Sequence, residues 1–348
     1  MWEMISLTFF IDIRDLVCYN NAIRLILRRI IMHWSLWCLF ALAVAAFITL
    51  ATSLVCFLMV FYSPKRRKLG EDEYEIPEGD IYEVYREDMI EWTKQIRSMP
   101  HEDIEITSFD GLRLRAKYYE NEPGAPIELL FHGYKGNAER DIAGGVERCF
   151  KLGRSVVLID HRASGASDGH VISFGINERR DCRAWIDYAI EKFGNDVKLI
   201  ISGVSMGAAT VMMTAGEPLP KNVIGVLADC GYTSAKEIIK KVVKEMVLPQ
   251  DLLYPFIKLG ARIYGRFNLD EYSPMEAMKE CSLPIVFVHG DDDAFVPYNM
   301  SERLYEACAS DKKTLITIKG AGHGLAFPVD RDGYVNSLKV VKEEWNLK

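Results

Sequence analysis

From Trp34 to Tyr62 the chain runs for 29 residues without one charged side chain, and no other stretch narrows its options so sharply. At 1.5 Å per helical residue the run reaches roughly 43 Å, more than the ~30 Å hydrocarbon core of a bilayer. It therefore reads as a transmembrane helix, 34–62, set with some tilt. Trp34, Trp37 and Tyr62 lie near its ends, where interfacial aromatics belong, and Lys65-Arg66-Arg67-Lys68 follows directly. A cleaved signal peptide has an apolar core of only about 7–15 residues, so an uncleaved anchor is the better reading. Arg24, Arg28 and Arg29 flank the other end, but the basic cluster is denser and nearer, which points to a cytoplasmic globular domain. Residues 1–33 read as an amphipathic segment on the membrane surface, or as an over-extended start with Met32 as initiator.

Beyond the anchor, 63–99 reads as a basic flank, an acidic linker containing Pro77 and an amphipathic helix. Its stripe of Ile81, Val84, Tyr85, Met89, Trp92 and Ile96 predicts packing onto the domain that follows. Residues 1–68 carry eight Lys or Arg against three Asp or Glu, a net +5, so within a total of -7 the remainder carries -12. So acidic a globular part argues against nucleic acid as a partner. The eight cysteines include no C-x-x-C pair and suggest neither a metal nor a disulfide framework. Scattered thiols of this kind fit burial in a reducing compartment.

Residues 100–348 are long enough for one α/β domain. Short apolar runs predict strands at 104–107, 112–119, 127–131, 155–159, 198–202, 223–228, 285–288 and 314–318. Helical stretches such as 175–193 lie between them. This alternation implies a mostly parallel sheet flanked by helices, opened by an antiparallel hairpin, with the later strands apolar because both faces are covered. Between about 232 and 280 the strand rhythm stops. That stretch reads as a small helical cap over the carboxyl edge of the sheet, where open α/β sheets bind ligands.

Chemistry enters at Gly203-Val204-Ser205-Met206-Gly207, a G-x-S-x-G pattern between an apolar strand and a run of small residues. Such a pattern forms a sharp strand-to-helix turn with the serine hydroxyl exposed at its apex. A serine needs a base to take its proton, and the base needs a carboxylate to hold its tautomer. Of seven histidines, His323 alone lies in a glycine-rich loop after the last strand. The strand 285–288 leads into three adjacent carboxylates, Asp291, Asp292 and Asp293, which would otherwise form a solvated turn.

His289-Gly290-Asp291-Asp292-Asp293-Ala294-Phe295-Val296-Pro297 resembles the H-G-x-x-D-x-x-V-P segment of the α/β-hydrolase superfamily. The resemblance selects Asp293 as the acid and implies a catalytic triad of Ser205, Asp293 and His323. Phe131-His132-Gly133-Tyr134 resembles the superfamily's H-G-x loop, implying an oxyanion hole from the backbone N–H groups of Tyr134 and Met206, with the His132 side chain structural. Asp160-His161-Arg162-Ala163-Ser164-Gly165 resembles the loop after the fourth strand, with Ala163 where glycine is usual. The chain looks most like bacterial membrane-anchored α/β hydrolases of the dienelactone hydrolase and serine aminopeptidase-like groups. The implied enzyme is a carboxylesterase-like serine hydrolase working without metal or cofactor on a small-molecule ester or acyl substrate, a lipid-derived one included. A peptidase, thioesterase or lipid hydrolase could use the same triad, and a catalytically silent membrane-anchored scaffold is the alternative from another class.

Overall fold

The computed structural model describes residues 13–64 and 69–344, so residues 1–12 and the basic cluster 65–68 lie outside the described residues. The chain divides into two compact units, Met1–Leu54 and Val55–Lys348. In the first, one helix begins at Ile13 and runs without a break past the expected start at Trp34, continuing to Val60 in the second. Its stretch Asn20–Val60 has the length and composition to cross a membrane. From Asn20 to Leu54 its large apolar side chains, Trp34, Leu42 and Phe47 among them, stand exposed. In the last turns one side faces inward: Cys56, Phe57 and Phe61 are buried in the globular core, while Val55, Leu58 and Met59 stay exposed. Side chains suited to a bilayer are equally suited to a protein interior.

The second unit is built on one eight-stranded sheet: β1 (Glu102–Thr107), β2 (Arg113–Tyr119), β3 (Ile127–Phe131), β4 (Ser155–Ile159), β5 (Leu199–Val204), β6 (Val223–Asp229), β7 (Ile285–Gly290) and β8 (Lys313–Ile318). Their order is β1-β2-β4-β3-β5-β6-β7-β8. The opening hairpin β1–β2 is antiparallel and joins β4 antiparallel, and every later pairing is parallel. This is the α/β-hydrolase fold. β3 and β4 are buried along their whole length, whereas β1 alternates toward its end, as two-sided and one-sided cover require.

Two apolar layers clothe the sheet. Leu129 and Phe131 join one layer with Trp185 of the helix Glu178–Phe193, and Leu130 joins the other with Trp92 and Tyr334. Trp92 and Ile96 of the predicted stripe are buried, with Trp92 5.6 Å from Phe327, but Ile81 and Val84 are exposed. The stripe breaks because its first turn, Asp80–Glu83, is a helix separate from Arg86–Ser98. Between β6 and β7 lie the helices Ala235–Glu245, Gln250–Ile263 and Pro274–Met278.

A charged side chain lies inside the sheet at β3. Glu128 on β3 is fully buried, bonded to Arg148, to Arg154 at 2.7 Å and to the Ser202 hydroxyl at 2.6 Å. Burial disfavours its carboxylate, but the two guanidinium charges outweigh that and lower its pKa from 4.5 to about 2. Glu128→Gln should cost about 3–5 kcal/mol in denaturant unfolding at neutral pH, because Arg148 is left buried and uncompensated. The carboxylate's contribution is complete above the unfolded value and is lost as pH falls toward the folded one. The stability gap between wild type and variant should therefore close between about pH 4.5 and pH 2; a constant gap would contradict this account.

Candidate active site

Ser205 stands where β5 becomes the helix Met206–Ala215, with φ 56° and ψ -112°, a backbone conformation costly for a residue with a side chain. Its two glycine neighbours make the turn possible. A Cβ at Gly203 would lie 2.3 Å from the carbonyl carbon of Gly207, and one at Gly207 would lie 2.2 Å from the Phe131 carbonyl oxygen. The Ser205 N–H donates to the Asp229 carbonyl at 2.8 Å, tying the turn to the end of β6.

Parallel register brings the other loops to the same edge. Phe131 pairs with Gly203, Val204 with Asp229, Asp229 with Val288, and Gly290 with Ile318, so the loops after β3, β5, β6, β7 and β8 all leave the sheet together. His323 Nε2 lies 2.9 Å from Ser205 Oγ, and His323 Nδ1 lies 2.7 Å from Asp293 Oδ2. The three residues singled out in the sequence thus form one hydrogen-bonded run.

Asp293 is bonded on every side. Oδ1 accepts from the N–H groups of Phe295 (2.9 Å) and Val296 (2.8 Å), and Oδ2 faces both His323 and His289 Nε2 at 3.1 Å. Burial penalises the charge, yet the bonds from His289 and His323 prevail and hold the carboxyl well below the usual carboxylate range. His289 Nε2 also lies 2.9 Å from the Val296 carbonyl, so it carries the proton, and Nδ1 accepts from the Ser301 hydroxyl at 2.6 Å. In the sequence His289 served only to align the motif. Asp291 does different work, accepting from Gly320 N at 2.6 Å and bracing the histidine loop, while Asp292 is exposed. Tyr82 also reaches that loop, its hydroxyl donating to the His323 carbonyl at 3.0 Å, a contact with no signature in its local sequence.

The H-G-x loop lies against the serine, for a Cβ at Gly133 would be 3.7 Å from Ser205 Cβ. Tyr134 follows it, and Met206 opens a helix whose first-turn N–H groups have no partner within the helix. His132 is buried and accepts from His161 N at 3.0 Å through Nε2, leaving Nδ1–H to donate to the Gly133 carbonyl at 2.7 Å. Phe295, 43% exposed, rests 5.0 Å from the His323 ring. Asp229 lies beneath, with Oδ2 accepting from the Tyr334 hydroxyl at 3.0 Å and Oδ1 buried without a partner; burial above all raises its pKa to about 6. Among the described residues, Cys230, Asp293 and His323 offer atoms within 4.8 Å of one another that could hold a metal ion. His323 and Asp293 are already bonded to each other, and burial raises the Cys230 thiol pKa, disfavouring the thiolate that a metal prefers.

Residues 272–330, which contain Asp293 and His323, match the serine aminopeptidase (S33) family of hydrolases. The Bacillus subtilis protein YqkD, itself uncharacterised, is 28% identical over 196 residues, 56% of this chain and 64% of its own length. Protein bem46 of Schizosaccharomyces pombe is 24% identical over 223 residues, 62% of this chain and 68% of its own. The Pyrococcus furiosus esterase Pf2001 superposes with a TM-score of 0.60 at 20% identity, covering 79% of this chain and 99% of that one. The α/β hydrolase GrgF from Penicillium gives 0.57 at 17% identity, over 70% and 99%. These likenesses agree with the fold and with its resemblance to the α/β hydrolases.

Gly207→Ala should destabilise the protein by at least about 2 kcal/mol, because its new Cβ meets backbone that cannot rotate away. Thermal unfolding reads this, and an unchanged midpoint would show that the elbow can relax.

Proposed function

We propose that the protein is a serine hydrolase that cleaves carboxylic esters through an acyl-enzyme intermediate. The hydrogen-bonded run from Ser205 through His323 to Asp293 supports this reading above any other observation. In it, Ser205 Oγ attacks the acyl carbon as His323 Nε2 takes its proton. Asp293, kept ionised by its bonds to His289, His323 and two amides, fixes the His323 tautomer and steadies the cation that forms. The charge gathering on the carbonyl oxygen falls to the N–H groups of Tyr134 and Met206. Collapse breaks the ester C–O bond, and the departing alkoxide takes the proton from His323. Water then attacks the acyl-serine by the same route and releases the acid. The chemistry calls for no metal or cofactor.

The substrate class we infer is a small acyl ester with an apolar chain, lipid-derived esters included. Phe295 beside His323 supplies an apolar edge at the mouth of the site, and the helix Asn20–Val60 would hold the enzyme at a membrane. The name of the Pyrococcus furiosus esterase agrees with an ester as substrate. The dense basic cluster after the helix favours a cytoplasmic catalytic domain.

Ser205→Ala should lower turnover of a p-nitrophenyl ester by at least about 10⁴-fold, with the thermal midpoint preserved. Wild type should also react with a fluorophosphonate probe at Ser205. Unlabelled wild-type protein would favour a silent scaffold, and retained activity in the variant would overturn the assignment of the nucleophile. Because an imidazole accepts a proton only when neutral, kcat/KM should fall on acidification along a single limb. A rate that does not fall in acid would remove the histidine from the mechanism.

A further inference from the structure

The carboxyl end of a helix leaves its last carbonyls without partners inside the helix, and they must be met from elsewhere. At the end of the long N-terminal helix the partners come from loops at the candidate site. The Phe57 carbonyl accepts from Phe61 N at 2.8 Å and Tyr62 N at 3.2 Å, closing the turn locally. The Met59 carbonyl takes the Lys135 ammonium at 2.9 Å, and the Val60 carbonyl takes the Tyr134 hydroxyl at 2.6 Å. The Phe61 carbonyl accepts from Ile172 N at 2.8 Å, Tyr62 pairs with Val171 in an isolated bridge, and Ser63 N donates to the His170 carbonyl at 2.9 Å.

The side chains seal the same joint. Phe61 is wholly buried, edge-on to Phe174 at 5.9 Å and to Phe267 at 5.2 Å, while Phe57 lies 5.7 Å from Tyr264. Phe174 in turn lies 4.9 Å from the Tyr134 ring. A segment that looks in sequence like the end of an anchor is thus packed between the residues that follow the helix Gln250–Ile263, the 170–174 loop and the loop after β3.

We infer that this helix end is a positioning element for the oxyanion hole, an inference that rests on the serine hydrolase reading above. Tyr134 carries the backbone N–H assigned to the hole, and the next residue, Lys135, has φ 51°, a conformation a side-chain-bearing residue keeps only where its surroundings enforce it. Both residues end on carbonyls of the same helical turn. The hydroxyl of Tyr134 stays a neutral donor because burial raises its pKa. The ammonium of Lys135 meets the negative end of the helix dipole. The Tyr134 tether fixes the Cα at one end of the Gly133–Tyr134 peptide, which carries the oxyanion donor, and the Lys135 tether holds the strained residue that follows; with both cut that peptide is free to turn away. Loss of one such donor lowers kcat by about 10²–10³-fold.

The test uses the full-length protein in detergent micelles, with Tyr134→Phe, Lys135→Met and the double variant. Tyr134→Phe keeps the ring and removes one oxygen; Lys135→Met keeps the aliphatic stem. The double variant should lose between about 10- and 1000-fold in kcat, with KM within about twofold of wild type. The Ki of a trifluoromethyl ketone, which presents an oxyanion to the same donors, should rise in parallel, while the thermal midpoint stays close to wild type. Phe61→Ala should weaken the ketone in the same sense from the helix side. A double variant with wild-type kcat and Ki overturns the inference, as does a lowered thermal midpoint without any change in either; should the double variant not fold, Tyr134→Phe alone decides by the same two readouts. Fluorophosphonate labelling separates the two levels of failure. If wild-type Ser205 is not labelled, the hydrolase reading and this inference fall together. If it is labelled and Tyr134→Phe,Lys135→Met reacts at the wild-type rate, only the positioning role falls.

Discussion

The arrangement at the carboxyl edge of the sheet depends on how closely the helix Met206–Ala215 crosses β3. Gly207 comes so near that even a methyl group would lie 2.2 Å from the Phe131 carbonyl oxygen. That approach lets β5 turn into a helix within one residue, and the turn forces Ser205 into its left-handed conformation. It also sets the serine beside the loop that follows Phe131, so the nucleophile and the proposed oxyanion donors share one origin. The strain at Ser205 is held by Asp229, whose carbonyl accepts its N–H from the neighbouring strand. A tight glycine contact and one ladder-like hydrogen bond thereby fix the point around which the later loops assemble.

Electrostatics complete what packing begins. Asp293 is buried and still ionised because four donors face its two oxygens, two of them histidines and two of them amides of its own loop. A buried carboxylate short of such donors would take up a proton and cease to orient an imidazole. His289 matters here as a ring of fixed orientation, anchored by Ser301 and Val296. Its Nε2 shares Asp293 Oδ2 with His323 Nδ1, so it acts on the acid and makes no hydrogen bond to the serine.

Much of this was legible in the chain. Strand positions follow from short apolar runs, and β3 and β4 fall at the residues their runs predict. Ser205 was visible because its steric requirement is written in two adjacent glycines, and His323 because its loop follows the last strand. Composition could not tell three adjacent aspartates apart, and only the motif resemblance selected Asp293; in the structure the turn brings Asp293 to His323 and Asp291 to Gly320. Tyr82 lies 241 residues from His323, and no local pattern announces a contact over that separation. The inward-facing side of the end of the N-terminal helix is hidden in the sequence for a different reason. Hydropathy measures dislike of water and cannot say whether Phe57 and Phe61 meet lipid or protein.

Asp229, beneath the serine turn, shapes the response of the folded chain to proton concentration. A carboxyl whose pKa rises to about 6 on folding keeps its proton where the unfolded chain has released it. Its share of stability therefore declines as pH climbs from about 4 to about 6, since the native state binds the extra proton throughout that interval. Glu128 and Asp293 act in the contrary direction, withdrawing support only in stronger acid. For these buried acids taken together the most favourable point lies in mild acid, near about pH 4, where Asp229 is still neutral and the other two are charged. At neutral pH the domain carries an imperfectly paired negative charge directly under its nucleophile, a standing cost that the rest of the fold must offset.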